Sequence, residues 1–261
     1  MTDDSEAQGS GARLIRLLQY VAEAGRDLSL KELADQVSLP PSTVHRLLQL
    51  LVKTEMVERG EAQTYRPGRE LVRTASLVLQ NFNPAKVARP FLRALWDGWQ
   101  ESCTFCVYRP TNRTLMVAAR LASPHRLQYV IEVFDPIPLV WGSLGRAVLA
   151  QLPNEEIAEA VANAKPGQLT GRAPPKLEVV MDDVRLIRER GYALYYDPEK
   201  LDVAAVAAPV FGADGLVAGS LGIAMPASRF DRPDNVGLPP AVVEQAAQLS
   251  QALGYLGPRR R

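Results

Sequence analysis

Over the first eighty positions, apolar residues recur at the three-and-four spacing of helices rather than the alternation of strands. Leu14, Leu17, Leu18 and Val21 form one stripe, closed by Gly25. Leu30, Leu33, Ala34 and Val37 form a second. Ser29 precedes it with Glu32 three residues on, a capping box in which each side chain satisfies an early backbone N–H of the helix. Pro40 and Pro41 suit a helix start and not an interior, so a third helix begins there. Its apolar side carries Val44, Leu47, Leu48, Leu51 and Val52; Ser42, Thr43, His45, Arg46 and Gln49 lie on the polar side. Two short β-prone runs, 56–59 and 64–68, flank a Gly60-containing turn and predict a hairpin. Leu71, Ala75, Val78 and Phe82 then form a single helical stripe, which meets the breakers Asn81, Asn83 and Pro84.

Beyond Pro84 the pattern changes. Helices are predicted over 84–100, 143–152, 154–164, 177–190 and 241–255. A hairpin is predicted from 103–108 and 114–121, and strands over 127–133, 192–196, 203–211 and 216–225. Helices on a largely antiparallel sheet make an α+β domain. The organisation expected is a disordered leader over 1–11, a helical domain with its hairpin over 12–68, a linker helix over 69–83, a larger domain over 84–256 and a basic tail over 257–261.

Three helices and a hairpin within sixty residues, with a short turn between the second and third helices, make a winged helix-turn-helix layout. Such a third helix enters a DNA major groove when its outer face carries short or forked donors. Ser42 and Thr43 suit phosphates, Arg46 suits a guanine edge, and His45 lies beside them. Arg59 and Arg66 flank the hairpin tip, within reach of phosphates or a minor groove.

Composition narrows the picture. The 261 residues carry 30 Lys+Arg against 29 Asp+Glu, a net charge of +1, so bulk attraction to a polyanion is excluded as a mode of binding. A positive balance exists only locally, six basic against four acidic residues within 38–73. Two Cys and two His exclude a multi-bridge disulfide framework and disfavour a zinc domain, so neither metal nor cofactor is expected. The acidic N-terminus has no secretory pattern and no long apolar run occurs, which points to the cytoplasm and away from a membrane.

Several strings in order along the chain resemble the IclR family of transcriptional regulators. Leu39-Pro40-Pro41-Ser42-Thr43-Val44-His45-Arg46-Leu47-Leu48 is similar to its recognition helix, and Tyr65-Arg66-Pro67-Gly68 to its element after the wing. Lys86-Val87-Ala88-Arg89-Pro90, Gly145-Arg146-Ala147-Val148-Leu149-Ala150 and Arg188-Glu189-Arg190-Gly191-Tyr192 resemble motifs of its second domain. So do Val206-Ala207-Ala208-Pro209-Val210, Asp214-Gly215 and Pro226-Ala227-Ser228-Arg229. The resemblance implies a homodimer or dimer of dimers binding palindromic operator DNA, and a GAF-like C-terminal domain that binds a small-molecule effector.

It also implies an effector site. Trp141, Ser143 and Leu144 lie in the element before Gly145, and Tyr195 stands where the family often has an acid. Val203 and Ala205 replace Leu and Cys of known small-acid binders, and Gly222 and Ala224 replace two Ser. A small carboxylate needs several donors; this set offers few, which favours a flatter, less polar, aromatic ligand against the ring faces of Trp141 and Tyr129. Two alternatives stay open: these residues pack the core without a ligand, or Arg126 or Arg109 supplies an anion contact. So do two rival functions, a small hydrolase using Ser143 and a ligand-sensing interaction module that binds no DNA.

Other constellations carry little chemistry. Cys103 and Cys106 sit in a β-prone run, where residues three apart point to opposite faces, so a redox or metal pair is not expected. His125 reads as a surface loop residue, Glu155 and Glu156 as a solvated helix face, and Gly142-Ser143-Leu144-Gly145 lacks the spacing of a nucleophile elbow.

Overall fold

A computed structural model describes residues 9–129, 131, 135–167 and 171–257. Most of the expected leader and all but the first residue of the basic tail lie outside these. The chain divides into two compact units, Met1–Phe82 and Asn83–Arg261.

The first unit is built from α1 (Ser10–Glu23), α2 (Leu30–Val37) and α3 (Pro41–Lys53), the strands β1 (Val57–Arg59) and β2 (Tyr65–Pro67), and α4 (Arg69–Asn81). α1 begins two residues inside the expected leader. Its core joins Leu17 and Val21 of α1, Leu33 and Ala34 of α2, and Val44, Leu47, Leu48 and Leu51 of α3 with Val57 and Tyr65 of the hairpin. The capping box forms: Glu32 N donates to Ser29 Oγ at 3.3 Å, and Ser29 N donates to Glu32 Oε2 at 2.8 Å. Leu28 and Tyr65 exchange backbone hydrogen bonds of 3.0 and 2.8 Å, tying β2 to the segment before α2. α4 buries none of its residues, so its predicted stripe of Leu71, Ala75 and Val78 is not core in this chain.

The second unit opens with α5 (Pro84–Trp99) and the hairpin β3 (Ser102–Arg109) and β4 (Thr114–Leu121), followed by the short β5 (Ile137–Pro138). Then come α6 (Gly142–Leu149), α7 (Asn154–Ala162), α8 (Leu177–Arg190), β6 (Ala193–Asp197), β7 (Val203–Phe211) and β8 (Val217–Pro226). It closes with α9 (Ala227–Phe230) and α10 (Leu238–Ala252). The six strands form one antiparallel sheet in the order β5-β4-β3-β8-β7-β6.

Alternation along each strand splits the apolar side chains between two cores. Cys103 and Phe105 of β3, Val206 and Ala208 of β7, and Leu221 and Ile223 of β8 pack with α5 and α10. Cys106 and Tyr108 of β3, Ala207 of β7 and Ala193 of β6 pack with α6, α7 and α8 on the other face.

One element departs from expectation. No strand forms at Leu127–Tyr129 or Ile131, and the rest of 130–133 lies outside the described residues. Side chains satisfy this segment instead of a ladder. Arg229 Nη2 donates to Leu127 O at 3.0 Å, and Arg120 Nη1 donates to Ile131 O at 2.8 Å. The Tyr129 hydroxyl lies 2.7 Å from both Leu201 O and Asp202 O. α6 also ends early, because Arg188 takes Ala150 O and Leu152 O at 2.6 and 3.0 Å and Pro153 follows. α10 starts before Ala241, its first turn accepting Pro239 and Pro240.

Two glycines let α6 lie close to its neighbours. A Cβ at Gly145 would stand 2.3 Å from Pro138 O, and one at Gly222 would stand 2.7 Å from Val206 O and 3.1 Å from Leu144 Cδ2. Gly145→Ala is therefore expected to cost about 1–3 kcal/mol by overpacking, read as a lower urea midpoint of the full chain. The capping box sets a pH dependence. Its Ser29 backbone bond, then Arg26, lowers the Glu32 carboxyl from 4.5 to about 2. The folded value is depressed, so the stabilisation is present above the unfolded value and is lost as pH falls from there toward 2. Ser29→Ala should raise the Glu32 midpoint measured by NMR titration.

Candidate functional site

In the first unit the turn between α2 and α3 holds Ser38 in a left-handed conformation (φ 53°) that reverses the chain. This presents α3 with Val44, Leu47 and Leu48 inward and Ser42, His45 and Arg46 exposed; Thr43 is half-buried. His45 Nε2 lies 3.2 Å from Gln49 Nε2, one turn on.

Ion pairing sorts the basic residues of this region. Arg66 Nε donates to Glu58 Oε1 at 2.6 Å across the hairpin, Arg69 Nε donates to Glu55 Oε2 at 2.6 Å, and Arg73 Nε donates to Glu70 Oε1 at 2.7 Å. Among the described residues Arg46, Lys53 and Arg59 make no ion pair. The local positive balance thus resides on the exposed end of α3 and the hairpin. Arg66 is already engaged, though an exposed pair of this kind is worth little and exchanges readily for a phosphate.

In the second unit the sheet register brings several predicted residues into one row. Tyr195 lies opposite Ala205, Ala205 opposite Ala224, and Ala224 opposite Ser102. A second row runs Ala193, Ala207, Gly222, Thr104 and Arg120. Directly opposed residues share a face, and Ala193 and Ala207 place these rows on the α6 side. Ala205 and Ala224 occupy central strands yet stay only partly buried. In this row they form a floor of small residues, with Tyr195 on one flank and Ser102 on the other.

Leu144 reaches over Gly222, so that floor position is filled by protein. Ser143 and Val203 are buried. Trp141 precedes α6, packs against the α6-side core, and donates from Nε1 to Lys165 O at 3.0 Å. Tyr129 points to the β6–β7 turn carbonyls and leaves its register with the row undefined, being outside any strand.

Sequence reasoning missed Asp197. It lies two residues beyond Tyr195 on the same face of β6, is 6% exposed, and pairs with Arg172 at 3.2 Å. The Tyr195 hydroxyl donates to Asp197 Oδ2 at 3.5 Å. Burial, then the Asp197 charge, pushes the Tyr195 phenol above its ordinary value, so it is a neutral donor at physiological pH. The signal was available in the period-two spacing. The basic residues near Tyr195 on this face are Arg172 and Arg146, and Arg120 lies further along it; Arg126 is an exposed loop residue, and strand parity puts Arg109 on the other face. A groove of about 490 Å³ on α8, lined by Met181, Val184, Arg185, Arg188 and Glu189, includes none of the predicted residues.

The chain matches the IclR helix-turn-helix domain over residues 10–61 and the bacterial transcriptional regulator IclR C-terminal domain over residues 76–251. The chain belongs to the IclR family of bacterial transcriptional regulators. IclR proteins act through operator DNA and a C-terminal ligand domain, and are not enzymes, which removes the hydrolase reading of Ser143. The transcriptional repressor IclR of Escherichia coli is 25% identical over 245 residues, covering 93% of this chain and 89% of that protein. The crystal structure of Pseudomonas aeruginosa HmgR is similar with a TM-score of 0.65 and 29% identity, over 95% of this chain and 99% of that one. An IclR homolog from Microbacterium hydrocarbonoxydans complexed with 4-hydroxybenzoate shares the fold, with a TM-score of 0.54 and 20% identity over 94% and 99% of the two chains. Among the described residues no helix is long and apolar enough to cross a membrane, and no three His, Cys, Asp or Glu side chains group to hold a metal.

Cys103 and Cys106 face opposite cores, and burial pushes both thiols up to about 12. Both should resist a thiol reagent such as DTNB at pH 8 in the native protein and react fully once urea unfolds it.

Proposed function

We propose that the protein is a ligand-responsive regulator whose effector is a small aromatic or weakly polar metabolite. The observation that carries this is the Tyr195–Ala205–Ala224 row: partly buried small residues beside a neutral phenol donor, none of them an ionic partner for a compact carboxylate. The 4-hydroxybenzoate complex of the Microbacterium homolog supports the aromatic class. Trp141, Ser143, Leu144, Tyr129, Val203 and Gly222 shape the rest of the site. Ser42, Thr43, His45 and Arg46 read the operator from α3, while Arg59 and Arg66 hold the flanking backbone.

The working form is a cytoplasmic homodimer or dimer of dimers, with residues 12–68 reading DNA, 69–83 linking and 84–256 sensing. Effector binding changes operator affinity only insofar as the ligand prefers one of two arrangements of the assembly.

A band-shift titration of the full chain with DNA from upstream of its own gene tests both halves. A specific complex is expected whose midpoint moves when a hydroxylated benzoate is added. Absence of any specific complex, with and without the aromatics, refutes the DNA-reading role. Arg46→Ala is expected to weaken the specific complex by about 1–3 kcal/mol and to relax preference at one base position; Arg59→Ala should weaken all sequences alike and lower the salt slope.

A further inference from the structure

Each residue of an α-helix is turned about 100° from the one before it. The buried side of α3 carries Val44, Leu47, Leu48 and Leu51. The line directly opposite runs through Ser42, Arg46, Gln49 and Lys53, and a helix lying in a major groove turns that line toward the base edges. The residues assigned to DNA on α3 are Ser42, Thr43, His45 and Arg46; Gln49 is not one of them. Yet the same rotation puts Gln49 near the middle of the outward face and His45 at its flank.

The two side chains are joined. Gln49 Nε2 lies 3.2 Å from His45 Nε2, one turn earlier. An amide nitrogen donates and does not accept. Gln49 N–H is therefore the donor, His45 Nε2 the acceptor, and the ring proton of His45 sits on Nδ1. The Gln49 amide carries two N–H bonds and one carbonyl oxygen. Spending one N–H on His45 leaves Oε1 and one N–H, and among the described residues no other hydrogen bond engages this side chain. One acceptor with one donor is the complement of adenine, which shows an N6–H donor and an N7 acceptor in the major groove. The reverse orientation would spend Oε1 on the ring and leave two donors, the complement of guanine O6 and N7. A long glutamine side chain loses rotamer freedom when it is ordered. Tethering it before DNA arrives removes part of that cost from binding.

We infer that Gln49 is a specificity-determining residue that selects an adenine in each operator half-site, and that His45 is the positioning residue that orients its amide. This rests on the operator-reading role proposed above and names the base and the reader within it. His45 serves recognition through Gln49, while Arg46 reads a different base.

The test is selection from a random duplex library with the full-length protein. Band-shift competition at fixed salt then compares the selected sequence with its single-base variants. Gln49→Ala and His45→Ala are each first checked for an unchanged melting temperature. The wild type should select an adenine at one position of each half-site, and replacing it should weaken binding about 10-fold or more. Gln49→Ala should flatten that position alone. His45→Ala should reduce the adenine preference at the same position and at no other, and the double variant should be no flatter than Gln49→Ala. A second readout is the histidine tautomer by ¹⁵N NMR, with His125 as reference because the chain has two His. His45 should carry its proton on Nδ1, and Gln49→Ala should move it toward Nε2. If the wild type selects a sequence and Gln49→Ala keeps every preference, the role of Gln49 is refuted and operator reading stands. A guanine at the position that Gln49→Ala flattens overturns the amide orientation and the adenine assignment. If His45→Ala flattens a different position, His45 reads a base itself and its positioning role falls. If the wild type selects no sequence, the operator reading falls and the role of Gln49 with it.

Discussion

The sensing unit depends on how closely α6 lies to the sheet. Helices and sheets normally stand apart by the length of their side chains, and here two glycines remove that spacing. Gly145 brings the α6 backbone against the carbonyl of Pro138, and Gly222 lets Leu144 descend onto β8. α6 therefore covers one stretch of the sheet tightly, while Ala205 and Ala224 in the adjoining stretch stay only partly buried. Arg188 holds the end of α6 through the carbonyls of Ala150 and Leu152, so the placement is fixed at both ends.

Electrostatics does comparable work in the DNA-reading unit. A chain with near-zero net charge still presents a basic surface when its acids are spent on particular arginines. Glu55, Glu58 and Glu70 engage Arg69, Arg66 and Arg73, so the acids near α3 neutralise residues behind it rather than Arg46. The arrangement keeps general attraction to nucleic acid weak and leaves the recognition helix charged.

Much of the fold was legible in the sequence because periodicity reports burial. The stripes of α1, α2 and α3, the extents of α8 and β7, and the opposite facing of Cys103 and Cys106 all follow from the spacing of apolar residues. The expected strand at 127–133 failed where burial and backbone pairing part company: its β-prone residues are satisfied by Arg229 and Arg120 side chains, which no local pattern encodes. The apolar stripe of α4 shows the converse, helical spacing with none of its residues buried. On the α6-side face of the sheet, family-like positions on β6, β7 and β8 could be named from the sequence. Asp197 was within reach of the period-two spacing on β6, whereas placing Arg120 on the same face needed the register, because only the pairing of β3 with β4 sets it.

The division of each central strand between two cores has an evolutionary consequence. On β7 and β8 the residues facing α10, such as Val206, Leu221 and Ile223, hold the domain together. Their immediate neighbours Ala205 and Ala224 face the α6 side and are only partly buried. Substitutions at these alternate positions can therefore accumulate without loosening the scaffold. A single-residue insertion in either strand would exchange the two sets, turning the scaffold residues toward α6 and the alanines toward α10. The α6-side row is open to change by substitution and closed to change by insertion.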